Sequence, residues 1–266
     1  MNNLKGVADT LYLPLAARIY VSKRFPDFFY DGMSLSLEGK LPDNGIEKKS
    51  DEYTFMASVC RYHVTDQIVK DFIERSGTCN VVNLGAGLET MFHRLSDDRA
   101  LFYEIDLPEV IKTRKELLPK NKNEILIGQD MFDMEWTMKI DASVPTIITA
   151  LGVFQYFEKE KLIALIQNLK QRFKDAELVF DAMNSKAIGF ANRYVEKTGN
   201  REAHMPFFLD DPEEFASEAG IRMIEEKKFF TDARKLLINK LNLYTRIAMR
   251  VVDQGSRRGY ILCYKL

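Results

Sequence analysis

The sequence predicts an α/β fold: a doubly wound, seven-stranded, mainly parallel sheet with an antiparallel edge hairpin and a helical N-terminal cap. Three observations predict it. Beyond residue 78, short apolar runs alternate with helical stretches. The first run ends in a glycine turn. Residues 1–78 instead read as helices joined by a polar loop. Strand–helix alternation of this kind gives a parallel sheet with helices on both faces.

Within the cap, Leu11, Leu13, Leu15, Ala16, Ile19 and Tyr20 form an amphipathic stretch. Pro14 predicts a kink or an early start there, and Pro26 stops it. Residues 38–52 are polar and carry a Pro-Asp-Asn-Gly turn signal. A second helix is expected from Tyr53 to Glu74, closed by Ser76-Gly77. Residues 79–266 form the core. Its parallel strands are expected at Asn80–Leu84, Leu101–Ile105, Glu124–Ile127, Thr146–Ala150 and Glu177–Phe180, with a helix from Glu158 to Phe173. Arg222–Phe229 and Gly259–Tyr264 supply the edge hairpin, with a helical stretch near Lys235–Leu243 between them. A lid is expected from the N-terminal helices and residues 185–212.

Composition narrows the function classes. Lys plus Arg number 38 and Asp plus Glu 39, so the formal net charge of −1 makes no electrostatic case for nucleic acid or an anionic membrane. No apolar run approaches the ~20 residues of a membrane span. No secretory signal pattern opens the chain, and a cytoplasmic location is expected. Cys60, Cys79 and Cys263 form no CxxC pair, and His63, His93 and His204 lack HExxH or HxH spacing. Buried thiols and no metal site follow.

Ligands of such sheets bind at the carboxyl ends of the strands, where strand order reverses. The first strand runs into Asn83-Leu84-Gly85-Ala86-Gly87-Leu88-Glu89-Thr90. Glycines let the chain turn tightly and a ligand approach the backbone. Thr90 stands where a dinucleotide fingerprint has its third glycine, which disfavours a pyrophosphate and suits a phosphate-free ligand such as S-adenosylmethionine. Asp106 lies 19 residues beyond Gly87, close to the spacing at which an acid meets ribose hydroxyls. Glu104 shares its strand face and competes for the role. Asp106 is also a good helix cap, but the spacing favours it as the ligand. Asp130, with Met131 or Phe132, could accept from and pack on an adenine, or simply form a turn. Gly152 leaves room for a ligand at the fourth strand's end.

These motifs together resemble the leucine carboxyl methyltransferase superfamily, especially its bacterial branch similar to polyketide O-methyltransferases. Thr10 to Arg18 (TLYLPLAAR) is similar to that branch's TLLIPLYAR. Arg61 to Asp66 (RYHVTD) resembles its RTRFFD segment. Val81 to Thr90 (VVNLGAGLET) is close to VVNLGAGLDT, the most specific motif, and Tyr103 to Pro108 (YEIDLP) resembles YEVDLP. Leu178 to Ala182, Lys197 to Gly199 and Leu209 to Pro212 extend the likeness.

The resemblance implies a Rossmann-like class I methyltransferase using S-adenosylmethionine, with S-adenosylhomocysteine as product. Arg61 would hold the methionine carboxylate, Gly85, Ala86 and Gly87 would pass beneath the methionine part, Asp106 would hold the ribose, and Asp130 and Met131 would flank the adenine. Arg18 would reach the site from the cap. Leu151 stands where the family has the glutamate that helps hold the cofactor's ammonium (EGVLMYL). Gln155 replaces a methionine of the same motif, and Met91 a common arginine. The expected reaction is in-line methyl transfer to a carboxylate or hydroxyl of a small molecule, with no obligate protein partner. A carboxylate needs no base; a hydroxyl would, and His204 is the candidate. The alternatives are a cofactor-binding scaffold without transfer, suggested by Leu151, and a nicotinamide oxidoreductase, disfavoured by Thr90 and the lack of a Tyr-xxx-Lys pair.

Overall fold

The computed structural model describes residues 7–40, 50–198, 204–256 and 258–266. The Pro-Asp-Asn-Gly turn and Gly199 lie outside them.

Helix α1 (Val7–Arg24) runs through Pro14. Proline removes one helical hydrogen bond, but Leu15, Ala17, Ile19 and Val21 are all buried, and packing holds the helix together across that gap. Asp31 caps the short α2 (Gly32–Ser36) by accepting from the Ser34 N–H. Asp51 caps α3 (Glu52–Ser76) through Thr54, and Gly77, at φ +70°, ends it. Beyond it come β1 (Cys79–Leu84), α4 (Met91–Leu95), β2 (Ala100–Asp106), α5 (Pro108–Leu117), β3 (Glu124–Gly128) and β4 (Thr146–Ala150). The chain continues through α6 (Lys159–Arg172), β5 (Glu177–Met183), α7 (Ser185–Thr198), α8 (Pro212–Ala219) and β6 (Arg222–Lys228). It ends with α9 (Thr231–Leu236), α10 (Leu243–Gln254) and β7 (Gly259–Lys265).

The seven strands form one sheet in the order β3-β2-β1-β4-β5-β7-β6. The first five are mutually parallel. β7 runs antiparallel to both β5 and β6, which is the expected edge pair. β1 neighbours both β2 and β4, so strand order reverses between β1 and β4. Their carboxyl ends lead into Gly85 and Gly152, the place where this architecture opens its ligand crevice.

Each face of the sheet has its own core. On one, Val59, Val69 and Phe72 of α3 pack with Val81, Phe102, Ile147 and Val179 of the strands, and Ala17 and Val21 of α1 join them. The cap therefore shares a core with the sheet. On the other, Leu162, Leu165, Ile166 and Leu169 give α6 one apolar stripe at helical spacing, packed on Ile148, Leu178 and Leu262. All three cysteines are buried and unpaired. No helix among the described residues is long and apolar enough to cross a membrane.

One expectation is corrected. The Lys235–Leu243 stretch is not a helix of its own. It spans the end of α9, a turn, and the first residue of α10. Asn242 restarts the chain by capping Thr245, while Leu237 and Leu241 anchor the turn in the core. The apolar spacing there reflects two anchors of a turn.

Candidate functional site

The glycine turn after β1 is held in an unusual backbone state. Gly85 and Gly87 have φ of +62° and +51°, a region that costs a side-chain-bearing residue about 1–2 kcal/mol. A Cβ on Gly85 would lie 2.4 Å from Val153 Cγ2, so the first residues after β4 press directly on the turn. From the cap, Leu11 Cδ1 sits 3.3 Å from where a Gly87 Cβ would be. Ala86 is buried and its N–H binds the Ile105 carbonyl of β2.

The two carboxylates that competed in the sequence separate cleanly. Asp106 Oδ2 accepts from the Gly87 N–H at 2.7 Å, and Oδ1 from the Leu107 N–H at 2.7 Å. Each oxygen keeps a further lone pair for a ligand hydroxyl. Glu104 is fully buried and accepts at both oxygens from Asn83 Nδ2, with Arg114 Nη2 3.5 Å away. Burial outweighs the Arg114 charge and pushes its carboxyl up to about 7. Glu104 is an interior group; Asp106 lies at the crevice. Burial also raises the Asp106 carboxyl, against the two backbone bonds that favour its charge.

Arg114 donates to the Gly87 carbonyl (3.2 Å) and to Glu124. From the cap, the buried Arg18 donates to the Leu88 carbonyl, to Asp31 (3.1 Å) and to Ser34 (3.0 Å). Arg94 forks onto Asp66 at 2.7 and 2.8 Å and reaches Glu89 at 2.7 Å. Asp31 also accepts from Thr90. For Asp31 and Glu89, burial would raise the carboxyl, but the arginines prevail and hold both below the usual range. Arg18, Asp66, Glu89 and Thr90 all lie in motifs that carried the resemblance. In the structure they form a buried ionic lattice that fastens the cap to the glycine turn. Sequence reasoning missed Asp31, Arg94 and Arg114, which lie in no motif.

Arg61, on α3, is 18% exposed and donates through Nη1 to Asp181 Oδ2 at 2.8 Å. Asp181 Oδ1 accepts from the Gly152 N–H at 2.5 Å. A Cβ on Gly152, itself at φ +70°, would lie 3.3 Å from Arg61 Nη1, so the glycine makes room for the guanidinium. Burial would lower the Arg61 pKa, but Asp181 more than offsets this. Leu151 is half-buried against the cap-side core. The buried Gln155 Oε1 has no hydrogen-bond partner among the described residues.

At the third strand's end, the Gln129 N–H binds the Asp106 carbonyl at 2.8 Å, which sets Asp130 and Met131 next to the acid. Asp130 is exposed and accepts from the Phe132 N–H, a local turn. Met131 is buried in the second core and its carbonyl takes the Trp136 indole N–H. His204 is exposed. The segment it begins reaches the crevice at Phe207, whose N–H binds the Gln155 carbonyl at 3.3 Å. A separate cavity of about 330 Å³ opens beyond β5, lined by Asn184, Asp210, Arg258 and Tyr260 among others. It is not built from the glycine turn.

The structure thus places Gly85, Ala86, Gly87 and Asp106 together at the ends of β1 and β2, Arg61 against Gly152 just after Leu151 and the end of β4, and Asp130 and Met131 beside Asp106 at the end of β3. The residue types fit a small zwitterionic nucleoside: a glycine turn without a phosphate cradle, an acid with free lone pairs, a guanidinium beside a carboxylate, and an orphaned buried acceptor.

Comparison with known proteins agrees. Residues 14–170 match the leucine carboxyl methyltransferase family. The chain is similar to the tetracenomycin polyketide synthesis O-methyltransferase TcmP of Streptomyces glaucescens, at 21% identity, covering 87% of this chain and 88% of that protein. Among solved structures, a candidate methyltransferase from Thermobifida fusca superposes with a TM-score of 0.61 at 15% identity, covering 94% of this chain and 93% of that one. Magnesium protoporphyrin IX methyltransferase from Synechocystis, solved with bound S-adenosylhomocysteine, superposes with a TM-score of 0.52 at 14% identity, covering 95% and 99%.

Proposed function

The chain belongs to the leucine carboxyl methyltransferase family, and from that premise we propose that it is an S-adenosylmethionine-dependent O-methyltransferase acting on a carboxylate or hydroxyl of a small molecule. The observation that carries the reading is the Gly87 N–H bond to Asp106. It draws the glycine turn and the β2 acid together at the point where strand order reverses. The same crevice holds a guanidinium suited to an amino-acid carboxylate.

The cofactor's sulfonium supplies an electrophilic methyl group. The chain's own residues position and shield. Asp106 would accept from the ribose hydroxyls, Arg61 would pair with the carboxylate, and Asp130 with Met131 would flank the adenine. Leu11 and Val153 close over the glycine turn from the cap and from β4, excluding water from the approach of the acceptor. A carboxylate acceptor is already ionised at neutral pH. For a hydroxyl acceptor, His204 is the candidate base, carried on the segment tied to Gln155. We place the activity in the cytoplasm, without nucleic-acid, membrane or obligate protein partners.

Two measurements test this. Calorimetry should detect S-adenosylhomocysteine and not NAD. Label from tritiated S-adenosylmethionine should pass to carboxylate- or hydroxyl-bearing metabolites. Tight cofactor binding with no transfer to any pool would favour the scaffold reading that Leu151 keeps open.

A further inference from the structure

Building on the proposed cofactor, we infer that Asp181 is the binding residue for its α-ammonium group, forming with Arg61 a charge-complementary clamp for the amino-acid end. β4 and β5 are parallel, with Ala150 beside Phe180. The next residues along, Leu151 and Asp181, are therefore neighbours, and adjacent positions on parallel strands project to the same face. The family's glutamate position on β4 carries no charge in this chain, yet a carboxylate arrives beside it from the neighbouring strand.

That carboxylate is 4% exposed and held in the sheet, because β5 is paired there with β7, Asp181 opposite Ile261. Its two oxygens engage Gly152 N–H and Arg61 Nη1, leaving lone pairs unfilled. Arg61 is bonded only through Nη1 among the described residues, so Nη2 and Nε remain available to a ligand carboxylate. Arg61 and Asp181 both meet Gly152, and Val153, the next residue along, packs on Gly85 of the glycine turn. An α-amino acid carries its ammonium and its carboxylate on the same carbon. A guanidinium and a carboxylate in contact beside Gly152 present the matching pair.

The competing role for Asp181 is to hold Arg61 in place, and the two roles differ in which ligand group they affect. The test uses calorimetry with S-adenosylhomocysteine, with its deaminated analogue (a methylene in place of the amine-bearing carbon), and with methylthioadenosine, which lacks both charges. The wild-type chain should prefer S-adenosylhomocysteine over the deaminated analogue by about ten- to a hundredfold, the range of a charged hydrogen bond. Asp181→Asn should abolish that preference and leave the affinity for methylthioadenosine unchanged. Adding Leu151→Glu to Asp181→Asn should restore it. An equal loss for S-adenosylhomocysteine and its deaminated analogue would overturn the assignment in favour of an Arg61 support. So would a preference that survives in Asp181→Asn. If Asp181→Asn does not fold, absence of any preference in the wild-type chain still overturns it. A wild-type chain that binds none of the three ligands would instead refute the cofactor reading itself.

Discussion

Replacing Gly85 by alanine isolates how tightly β4 presses on the glycine turn. Two costs apply. The first is backbone strain at φ +62°, about 1–2 kcal/mol for a residue with a Cβ. The second is steric. The new methyl would lie 2.4 Å from Val153 Cγ2 and 3.1 Å from Cγ1, and relieving such overlap in a packed interior costs about 1–3 kcal/mol. The sum is about 2–5 kcal/mol. Gly220, at the end of α8, supplies the control: its φ is +69° and nothing lies within 4 Å of an added Cβ. Gly220→Ala should cost the strain alone, about 1–2 kcal/mol. In thermal unfolding followed by circular dichroism, at about 2–4 °C per kcal/mol for a chain of this size, Gly220→Ala should fall by about 2–8 °C and Gly85→Ala by about 4–20 °C. Val153→Ala added to Gly85→Ala should recover part of the difference, with a coupling of about 1–2 kcal/mol. Equal shifts for the two glycines would mean that Val153 gives way freely. The closed packing of β4 on the turn would then be refuted.

Asp106→Asn should weaken S-adenosylhomocysteine by about 1–3 kcal/mol in calorimetry; unchanged affinity in a folded variant removes the ribose role. Arg94→Met leaves the carboxylates of Asp66 and Glu89 without their arginine, and should cost about 3–5 kcal/mol in urea unfolding, whereas a loss under 1 kcal/mol would make the lattice incidental. Glu104 holds its proton to about pH 7 when folded but releases it near 4.5 when unfolded, so the native state binds more protons between those values and this group's contribution to stability falls as pH rises through that window. Glu104→Gln should therefore gain on the wild type by about 1.4 kcal/mol per pH unit between about pH 5 and 7, then run parallel; a constant difference across that range would show that the carboxyl is already ionised.

The sheet was legible because its strands are buried runs between helical periods, and burial of that kind is written locally. The glycine turn and Asp106 were legible for a related reason: both sit at strand ends, and their 19-residue spacing reflects one strand–helix–strand crossover. The Lys235–Leu243 stretch misled because Leu237 and Leu241 are four apart, the helical spacing, while anchoring a turn. Glu104 and Asp106 could not be separated by sequence, since alternation puts both on one face. Depth separates them: Asp106 is the strand's last residue and emerges at the crevice, while Glu104 is covered by α5 through Arg114.

The ionic lattice was illegible for a different reason. Its members come from α1, the α2 cap, α3, the glycine turn and α4, and the Arg18 bond to Leu88 spans 70 residues. No period or spacing records such a meeting. What the sequence did contain was the residue types of Arg18, Asp66, Glu89 and Thr90, inside motifs that look like ligand-binding signatures. The structure gives them another cause. A glycine turn packed under the cap has carbonyls facing the protein interior, where each needs a buried donor. Arg18 and Arg114 meet Leu88 and Gly87 in that way. Their charges then require Asp31 and Glu124 close by. Much of the motif pattern around the glycine turn thus serves to hold the turn's shape.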